Sequence, residues 1–328
     1  MKNYPHLFSP RHRVKAASLI VIFLLAVAIP VAALLAQRLI ELQHKTVSVS
    51  TTASQLISVN SHGDTVERPL ARPTQKPTAT SVTKTRPTAT LATNNTGNFT
   101  ILPPGAILPT EAQCASRIHL SSREPRPDNY AANHRIPAAQ QIAGMEAWNA
   151  SIGYDPRADS LRKQIAGNYT GTTDEILQWT ACKWGIDVNI VRAEAVTESY
   201  WHQSQKGDLT TAQSQCPPGT WTGSNCYQSY GILQIKYIYN KGEWPMSRDD
   251  TAFSAEYMYG VIRACYEGWT TYLSNRTPLP GYPHYHAGDI WGCVGRWFSG
   301  GWYDQGAINY INVVKTQYAN KIWLKSGF

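Results

Sequence analysis

The second half of the chain carries apolar residues at helical spacing, three and four positions apart. A capping box, Thr172-x-x-Glu175, opens one such stretch, which continues to Trp184. Gly185 is a typical stop signal, and Asp187 can cap a second helix that begins at Val188. The pattern therefore predicts two consecutive helices separated by a tight turn.

Further helices are predicted on both sides of this pair. One covers about residues 138–148, and another starts at Ser247 and continues through Trp269. Two more cover about 291–297 and about 307–323. The apolar run 230–239 is also predicted to be helical, and little of the chain is typical of strand. The predicted fold class is mostly α, with short helices joined by long loops.

Glu198 continues the apolar stripe of the helix that begins at Val188, after Val191 and Ala195 on the same face. A carboxylate at such a position is costly, and burial raises its pKa. A carboxylic acid that stays neutral at neutral pH is what general-acid cleavage of a glycosidic bond requires. The alternative is that Glu198 ends the helix at the surface. Glu194, one turn earlier, is expected to be a solvated helix residue that at most repels Glu198.

An uncharged apolar run occupies residues 16–37 and is long enough to span a bilayer as a helix. Four basic residues precede it: Lys2, Arg11, Arg13 and Lys15. This bias predicts a cytoplasmic tail at 1–15 and a single-pass membrane anchor, with the rest of the chain outside the cytoplasm. Secretion after cleavage of a signal peptide is the alternative, because small residues follow a proline near the end of the run.

The remaining chain divides by composition. Residues 38–110 are rich in Thr, Ser, Pro and basic residues and poor in aromatics. Such a segment cannot bury a core, so we expect a disordered linker. Residues 111–171 are predicted to form an N-terminal collar, and residues 172–328 the helical domain that carries Glu198.

The formal net charge of +8 arises from residues 1–110, since basic and acidic residues are equal in number from Glu111 onward. The folded part thus lacks the basic surface typical of DNA binding, and no nucleic acid partner is expected. The basic linker suits contact with anionic lipid or a wall polymer. The chain is expected to be a monomer.

All six cysteines follow the predicted anchor, and an even number outside the cytoplasm is typical of disulfides. Cys216 and Cys226 bracket a turn-rich stretch and are predicted to pair, and Cys265–Cys293 is a second predicted pair. Sequence alone does not choose among the fifteen pairings that six cysteines allow. No close Cys-x-x-Cys pair suggests zinc, and no metal or cofactor is expected.

Several short motifs follow one another in the C-terminal half. Lys-Trp-Gly-Ile-Asp-Val-Asn-Ile-Val-Arg-Ala at 183–193 precedes Glu198-Ser199, and Ser-Tyr-Gly-Ile-Leu-Gln-Ile occupies 229–235. Trp-Phe-Ser-Gly-Gly at 297–301 and Tyr310 come later. In this order the motifs resemble the soluble lytic transglycosylase domain of the lysozyme-like superfamily. The resemblance covers about 172–323 and implies a lysozyme-like helical domain with long disulfide-stapled loops.

The resemblance implies that Glu198 is the single catalytic acid/base for the β-1,4 bond between MurNAc and GlcNAc in peptidoglycan. The muramic C6 hydroxyl would attack C1 intramolecularly and leave a 1,6-anhydromuramic end. Gln234 would line the cleft, and Tyr310 would hydrogen-bond near Glu198. Ser199 would support the glutamate, and Ser299 stands where the family has Asn.

Other substrate contacts are predicted beside these motifs. Ser229 and Tyr230 precede Gly231 in the second motif, and Trp201 is a candidate for stacking on a sugar face, with core packing as its alternative. The gap between Glu198 and Gly231 is longer than the family's. The additional residues predict a disulfide-fastened lip at 216–226 beside the cleft.

Asp208 supports a rival mechanism. It lies where goose-type lysozymes carry an aspartate that activates water, so with Glu198 it would form the carboxylate pair of an inverting muramidase. Lys236 stands where the goose-type pattern has another aspartate. A turn is the other interpretation of Gly207-Asp208. A third possibility is an inactive domain that only binds peptidoglycan strands.

Overall fold

The computed structural model describes residues 97–328. The predicted cytoplasmic tail, the membrane anchor and most of the linker lie outside this range. Within it, no helix is both long enough and apolar enough to cross a membrane.

The described part is mostly helical, as the sequence predicts. The helices, in chain order, are α1 Glu111–Ala115, α2 Tyr130–Asn133, α3 Ala139–Ile152, α4 Pro156–Arg162, α5 Thr173–Trp184, α6 Val188–Ser199, α7 Met246–Asp249, α8 Thr251–Tyr266, α9 Ile290–Ser299 and α10 Gln305–Asn320. The strands are β1 Lys206–Thr210, β2 Cys226–Tyr230 and β3 Ile235–Lys236. Short 3-10 turns lie at Pro127–Asn129, Gln213–Gln215, Tyr237–Tyr239, Lys241–Glu243, Thr271–Asn275 and Ile322–Leu324.

The predicted boundaries of α5 and α6 are confirmed. The Thr172 and Glu175 side chains each bond the other residue's backbone N–H, which completes the capping box of α5. Gly185 ends this helix with φ +58°, in the left-handed region that suits glycine. The Asp187 carboxylate then accepts a hydrogen bond from the backbone N–H of Asn189 at 2.7 Å and starts α6. These local signals fix where the helix that carries Glu198 begins.

The prediction of a helix at 230–239 is wrong. Residues 226–236 form an antiparallel hairpin in which Ser229 pairs with Lys236 and Tyr230 with Ile235. Gly231 and Gln234 both have positive φ, 84° and 48°, so the chain reverses within this motif. The run is apolar because the turn is buried, and periodicity does not separate a short buried hairpin from a helix.

The start of α8 is also displaced from its predicted position. Ser247 lies inside the single turn α7, and the cap of α8 is Asp250, whose carboxylate accepts from the backbone N–H of Phe253 at 2.7 Å. The helix that follows is buried along its whole length.

Residues that precede the predicted collar also pack on the helical domain. Phe99 is buried, and the backbone N–H of Leu102 donates to the Gly185 carbonyl at 2.9 Å. Residues 97–110 therefore pack on the helical domain, contrary to the disorder predicted for them. The collar is held by Lys183, which forms ion pairs with Glu111 and with Glu256 in α8.

Three disulfides join the described cysteines. Cys216–Cys226 and Cys265–Cys293 are confirmed, and the third is Cys114–Cys182. The last ties α1 to α5, and Cys265–Cys293 ties the end of α8 to α9. Each closes a loop whose freedom in the unfolded chain opposes folding.

The helices enclose one buried core that positions the end of α6. Helix α5 packs on α8 and α6, and α10 packs on α6 and α9. The three strands form one antiparallel sheet in the order β1-β2-β3. The last turn of α6 meets the sheet through the hydrogen bond from Ser199 to the Ile232 carbonyl, and α6 packs on α10.

Candidate active site

A cleft of about 930 Å³ opens where the last turn of α6, the β-sheet and the connection between α9 and α10 meet. Five of the predicted site residues line it: Glu198, Asp208, Ser229, Gln234 and Ser299. Tyr310 lies behind Glu198, on the buried face of α10. The structure therefore brings together residues that lie more than a hundred positions apart in the sequence.

Glu198 is half-buried at the cleft wall, at the end of the buried stripe formed by Val188, Val191 and Ala195. Burial raises the pKa of Glu198 to about 7, and the charge of Asp208 contributes in the same direction. The hydrogen bond from Tyr310 opposes the rise. A large share of this carboxyl is therefore protonated at neutral pH, and it faces an open cleft.

Tyr310 donates a hydrogen bond to Oε1 of Glu198 at 2.5 Å. Its ring stacks on Phe298, with centroids 4.9 Å apart and planes 6° from parallel. Phe298 lines the cleft and is 61% exposed, which is unusual for so large an apolar side chain. Sequence reasoning missed Phe298, although its position inside the Trp-Phe-Ser-Gly-Gly motif could have indicated it.

Glu194 is fully buried, so the prediction that it is a solvated helix residue is wrong. Tyr259 donates a hydrogen bond to its Oε2, and the Tyr310 hydroxyl lies 3.4 Å from its Oε1. Burial raises the pKa of Glu194 well above its usual range, and the nearby Glu198 adds to the rise. Burial thus favours the uncharged form of Glu194, which shares Tyr310 with Glu198.

Asp208 faces the same cleft from β1. Its Oδ2 accepts a hydrogen bond from the Ser229 hydroxyl at 2.5 Å and forms an ion pair with Lys236 Nζ at 3.2 Å. Asp208 has φ +55°, a left-handed conformation that non-glycine residues seldom adopt. Such conformations cluster at functional sites, because the surrounding structure has to hold them.

Gln234 lines the cleft opposite β1. Its side-chain amide donates to the carbonyls of Gly231 at 2.8 Å and Gln205 at 3.1 Å, so its orientation is fixed. A Cβ at Gly207 would lie 2.5 Å from Oε1 of Gln234. Glycine at 207 therefore leaves the space that this side chain occupies.

Three predicted substrate contacts lie outside the cleft. The Ser199 hydroxyl is buried and donates to the Ile232 carbonyl at 2.8 Å, so it ties the end of α6 to the hairpin turn. Tyr230 is buried edge-on against Trp244, on the other side of the sheet from Ser229. Trp201 is 2% exposed and stacks on Trp323 in the core, where no sugar reaches it.

The loop closed by Cys216–Cys226 does not form part of the cleft wall. Its residues line a separate cavity of about 330 Å³, together with Tyr230 and Arg248. The loop is fastened by its disulfide as predicted, and it lines this second cavity instead of the cleft that holds Glu198. Ser299 does line the cleft, and its hydroxyl accepts a hydrogen bond from the Gly301 backbone N–H at 3.0 Å.

Within residues 97–328, no group of three or more His, Cys, Asp or Glu side chains is placed to hold a metal ion. The cleft combines a carboxyl whose pKa is about 7 with a tyrosine that donates a hydrogen bond to it. Comparisons of the chain with protein-family models, curated proteins and solved structures find no match.

Proposed function

We propose that this protein is a peptidoglycan lytic transglycosylase that cleaves the β-1,4 bond between MurNAc and GlcNAc. The observation that carries the proposal is Glu198, a carboxyl with a pKa of about 7 that faces a long cleft and accepts a hydrogen bond from Tyr310. The motif resemblance to the soluble lytic transglycosylase domain supports it.

The chemistry uses one residue twice. Glu198 protonates the bridging oxygen as the bond to C1 of the muramic sugar breaks, and the GlcNAc hydroxyl leaves. The resulting carboxylate then takes the proton of the muramic C6 hydroxyl while O6 bonds to C1. Glu198 is thereby reprotonated, no water is consumed, and the product has a 1,6-anhydromuramic end. The Tyr310 hydroxyl stabilises the carboxylate between the two steps.

The surroundings of Asp208 favour this single-acid route. A base that activates water needs a carboxylate oxygen free to accept the water's proton. Oδ2 of Asp208 already accepts a hydrogen bond from Ser229 and is paired with Lys236, so this oxygen is not free to accept the water's proton. The muramidase alternative remains the second candidate, because Asp208 faces the same cleft and its charge raises the pKa of Glu198.

The proposal extends to the cellular setting. The apolar run at 16–37 would anchor the chain, and the linker would place the domain in the peptidoglycan layer, with glycan strands as its partner. The cleft requires no cofactor for the acid/base steps given above.

Mass spectrometry of the soluble products tests the proposal directly. The full chain is incubated with purified peptidoglycan, and we expect muropeptides with 1,6-anhydromuramic ends. Reducing-end muramic acid, heavier by one water, would establish the muramidase instead. Binding to the wall with no soluble product would establish the non-catalytic alternative.

A further inference from the structure

Three arginines, Arg162, Arg276 and Arg296, line the same cleft as Glu198. We call this part of the cleft the arginine end. Its residues come from separate elements: Arg162 from the end of α4, Arg276 from the loop after the 3-10 turn Thr271–Asn275, and Arg296 from α9. Within residues 97–328, no carboxylate forms an ion pair with Arg276 or Arg296.

Arg162 is the buried member of the arginine end, with 6% exposure. Its guanidinium lies 3.7 Å above the ring of Tyr154, and its one carboxylate contact is with Asp159 at 3.4 Å. Its Nε has no hydrogen-bond partner. Because this Nε is itself buried, Arg162 acts on a ligand in the cleft through its charge.

Glu243, a second acid whose charge would act on Arg162, does not neutralise it. The Glu243 side chain is fully buried. Burial raises the pKa of Glu243 to about 8, so it is largely uncharged at neutral pH. The positive charge of the arginine end is therefore available to a ligand.

Tyr272 holds Arg296 in a defined orientation. Arg296 Nε donates to the Tyr272 hydroxyl at 2.9 Å, and that hydroxyl donates to the Gly300 carbonyl at 3.1 Å. The Arg276 guanidinium lies 5.9 Å from the centroid of the same ring. With Nε occupied, the terminal amino groups of Arg296 remain for the planar two-bond contact that guanidinium makes with carboxylate or phosphate.

The arginine end is connected to the catalytic acid through α9. Arg296 and Phe298 lie in the last turn of this helix, and Phe298 stacks on the tyrosine that bonds Glu198. The other acids of the cleft have partners: Asp304 caps α10 through the Ala307 N–H, and Asp208 is paired with Lys236. Among the described residues that line the cleft, the unpaired positive charge thus lies at the arginine end.

We propose that the arginine end binds an anionic group carried by the glycan strand, a carboxylate or a phosphate. The proposal rests on the proposed function, because it takes the occupant of the cleft to be peptidoglycan. Muramic acid carries a lactyl carboxylate that is often extended by a peptide ending in carboxylates, and wall glycans also carry phosphate polymers. Both present the same anionic oxygens to a guanidinium.

The kinetic test compares strands with and without each group. Full-chain enzyme is assayed on intact strands, on strands stripped of peptide by an amidase, and on strands stripped of phosphate by hydrofluoric acid. For wild type we expect kcat/KM to fall about tenfold when the recognised group is removed. The ratio of kcat/KM on intact strands to kcat/KM on stripped strands should approach one in the double variant Arg276→Gln/Arg296→Gln. In the exposed control Arg135→Gln the same ratio should stay near ten. A ratio that is unchanged in the double variant overturns the proposal.

A binding test separates this proposal from the proposed function. Calorimetry on full-chain Glu198→Gln uses an N-acetylmuramoyl peptide in one arm and inorganic phosphate in the other. We expect one of the two ligands to bind, and its Kd should rise about tenfold when Arg276→Gln and Arg296→Gln are added to Glu198→Gln. The Kd should also rise with salt concentration. If wild type cleaves no wall but this binding persists, the anion site stands and the proposed function falls. If cleavage occurs and neither ligand's binding depends on the arginines, only the anion site falls.

Discussion

Glu194 and Glu198 lie one helical turn apart and share the hydroxyl of Tyr310, at 3.4 Å and 2.5 Å. Tyr310 has one hydroxyl hydrogen, and the shorter contact directs it to Glu198. Burial raises the pKa of Glu194 well above its usual range and so favours the uncharged form, which competes less for that hydrogen than an anion would. The pair therefore combines one acid that faces the cleft with a second, buried acid that orients the tyrosine between them.

Glu198→Gln should abolish release of muropeptides from purified wall. The amide has the size of the acid but no proton to give, and general acid–base catalysis contributes about 10²–10⁴-fold in rate. The fold should survive, since glutamine can still accept the bond from Tyr310. Circular dichroism and the melting temperature provide the folding control, and retained cleavage in a folded variant would exclude Glu198 as the acid.

Tyr310→Phe should shift the alkaline limb of the pH–kcat/KM profile upward. The limb reports the pKa of Glu198, about 7, and the tyrosine hydrogen bond lowers that pKa. A hydrogen bond to a charged group is worth about 1.5–3 kcal/mol, so the shift should be about one to two pH units. The profile is measured by turbidity of wall suspensions between pH 4 and about 9. A downward shift would contradict the assigned donor.

Glu194→Gln should keep most of the activity, whereas Glu194→Ala should lose it together with stability. Glutamine keeps the size of the side chain and accepts the Tyr259 bond, but alanine leaves the buried Tyr259 hydroxyl without its acceptor. We expect Glu194→Gln to stay within about threefold of wild type and Glu194→Ala to lower the free energy of unfolding by about 2–4 kcal/mol. Denaturant titration and wall-lysis rates measure the two effects. Equal losses in both variants would mean that the acidic proton itself is required.

Asp208→Asn distinguishes the two glycan-cleaving mechanisms. If Glu198 works alone, the variant should lose less than about tenfold in rate and still produce anhydro ends. Its alkaline limb should move to lower pH, because the charge of Asp208 raises the pKa of Glu198. Inactivation comparable to Glu198→Gln, with reducing-end products in wild type, would favour the muramidase. Ser229→Ala is the matched control, since it removes the hydrogen bond to Asp208 and leaves the carboxylate.

The helix of the candidate acid was accessible to sequence reasoning because its signals are local. The caps at Thr172 and Asp187 and the apolar stripe to Glu198 act within a few residues, so they fix α5 and α6 independently of the rest of the chain. The order of the motifs predicts that Tyr310 and Gln234 lie near Glu198. In the structure Tyr310 bonds Glu198, and Gln234 lines the same cleft.

Other features depended on contacts that no local pattern encodes. Glu194 is buried because Tyr259, from α8, reaches its carboxyl, and a lone glutamate on a helix gives no sign of such a partner. The segment around Gly231 is a hairpin because β1 pairs with it, and β1 itself carries no strong strand pattern. The core packing of Trp201, instead of sugar stacking, has the same kind of cause, since its partner Trp323 lies far along the chain.

The buried acids predict that the protein loses stability as pH rises. Burial raises the pKa of Glu243 from 4.5 to about 8 and that of Asp250 from 3.8 to about 8. Between about pH 4 and about pH 8 the folded state therefore binds more protons than the unfolded state. The stability that these two acids contribute is complete below about pH 4 and declines until about pH 8. Each group contributes a slope of up to about 1.4 kcal/mol per pH unit. Urea titrations at intervals across this window measure the decline.

Glu243→Gln should remove its share of that slope and leave the variant more stable than wild type near pH 8, because glutamine cannot ionise. Glu146→Gln in α3, whose side chain is half-exposed, is the control and should keep the wild-type slope. Glutamine keeps the size and shape of the glutamate side chain, so the comparison isolates the effect of ionisation. A Glu243→Gln variant with an unchanged slope would show that this carboxyl titrates as it does in the unfolded chain, and the positive charge assigned to Arg162 would then be partly cancelled.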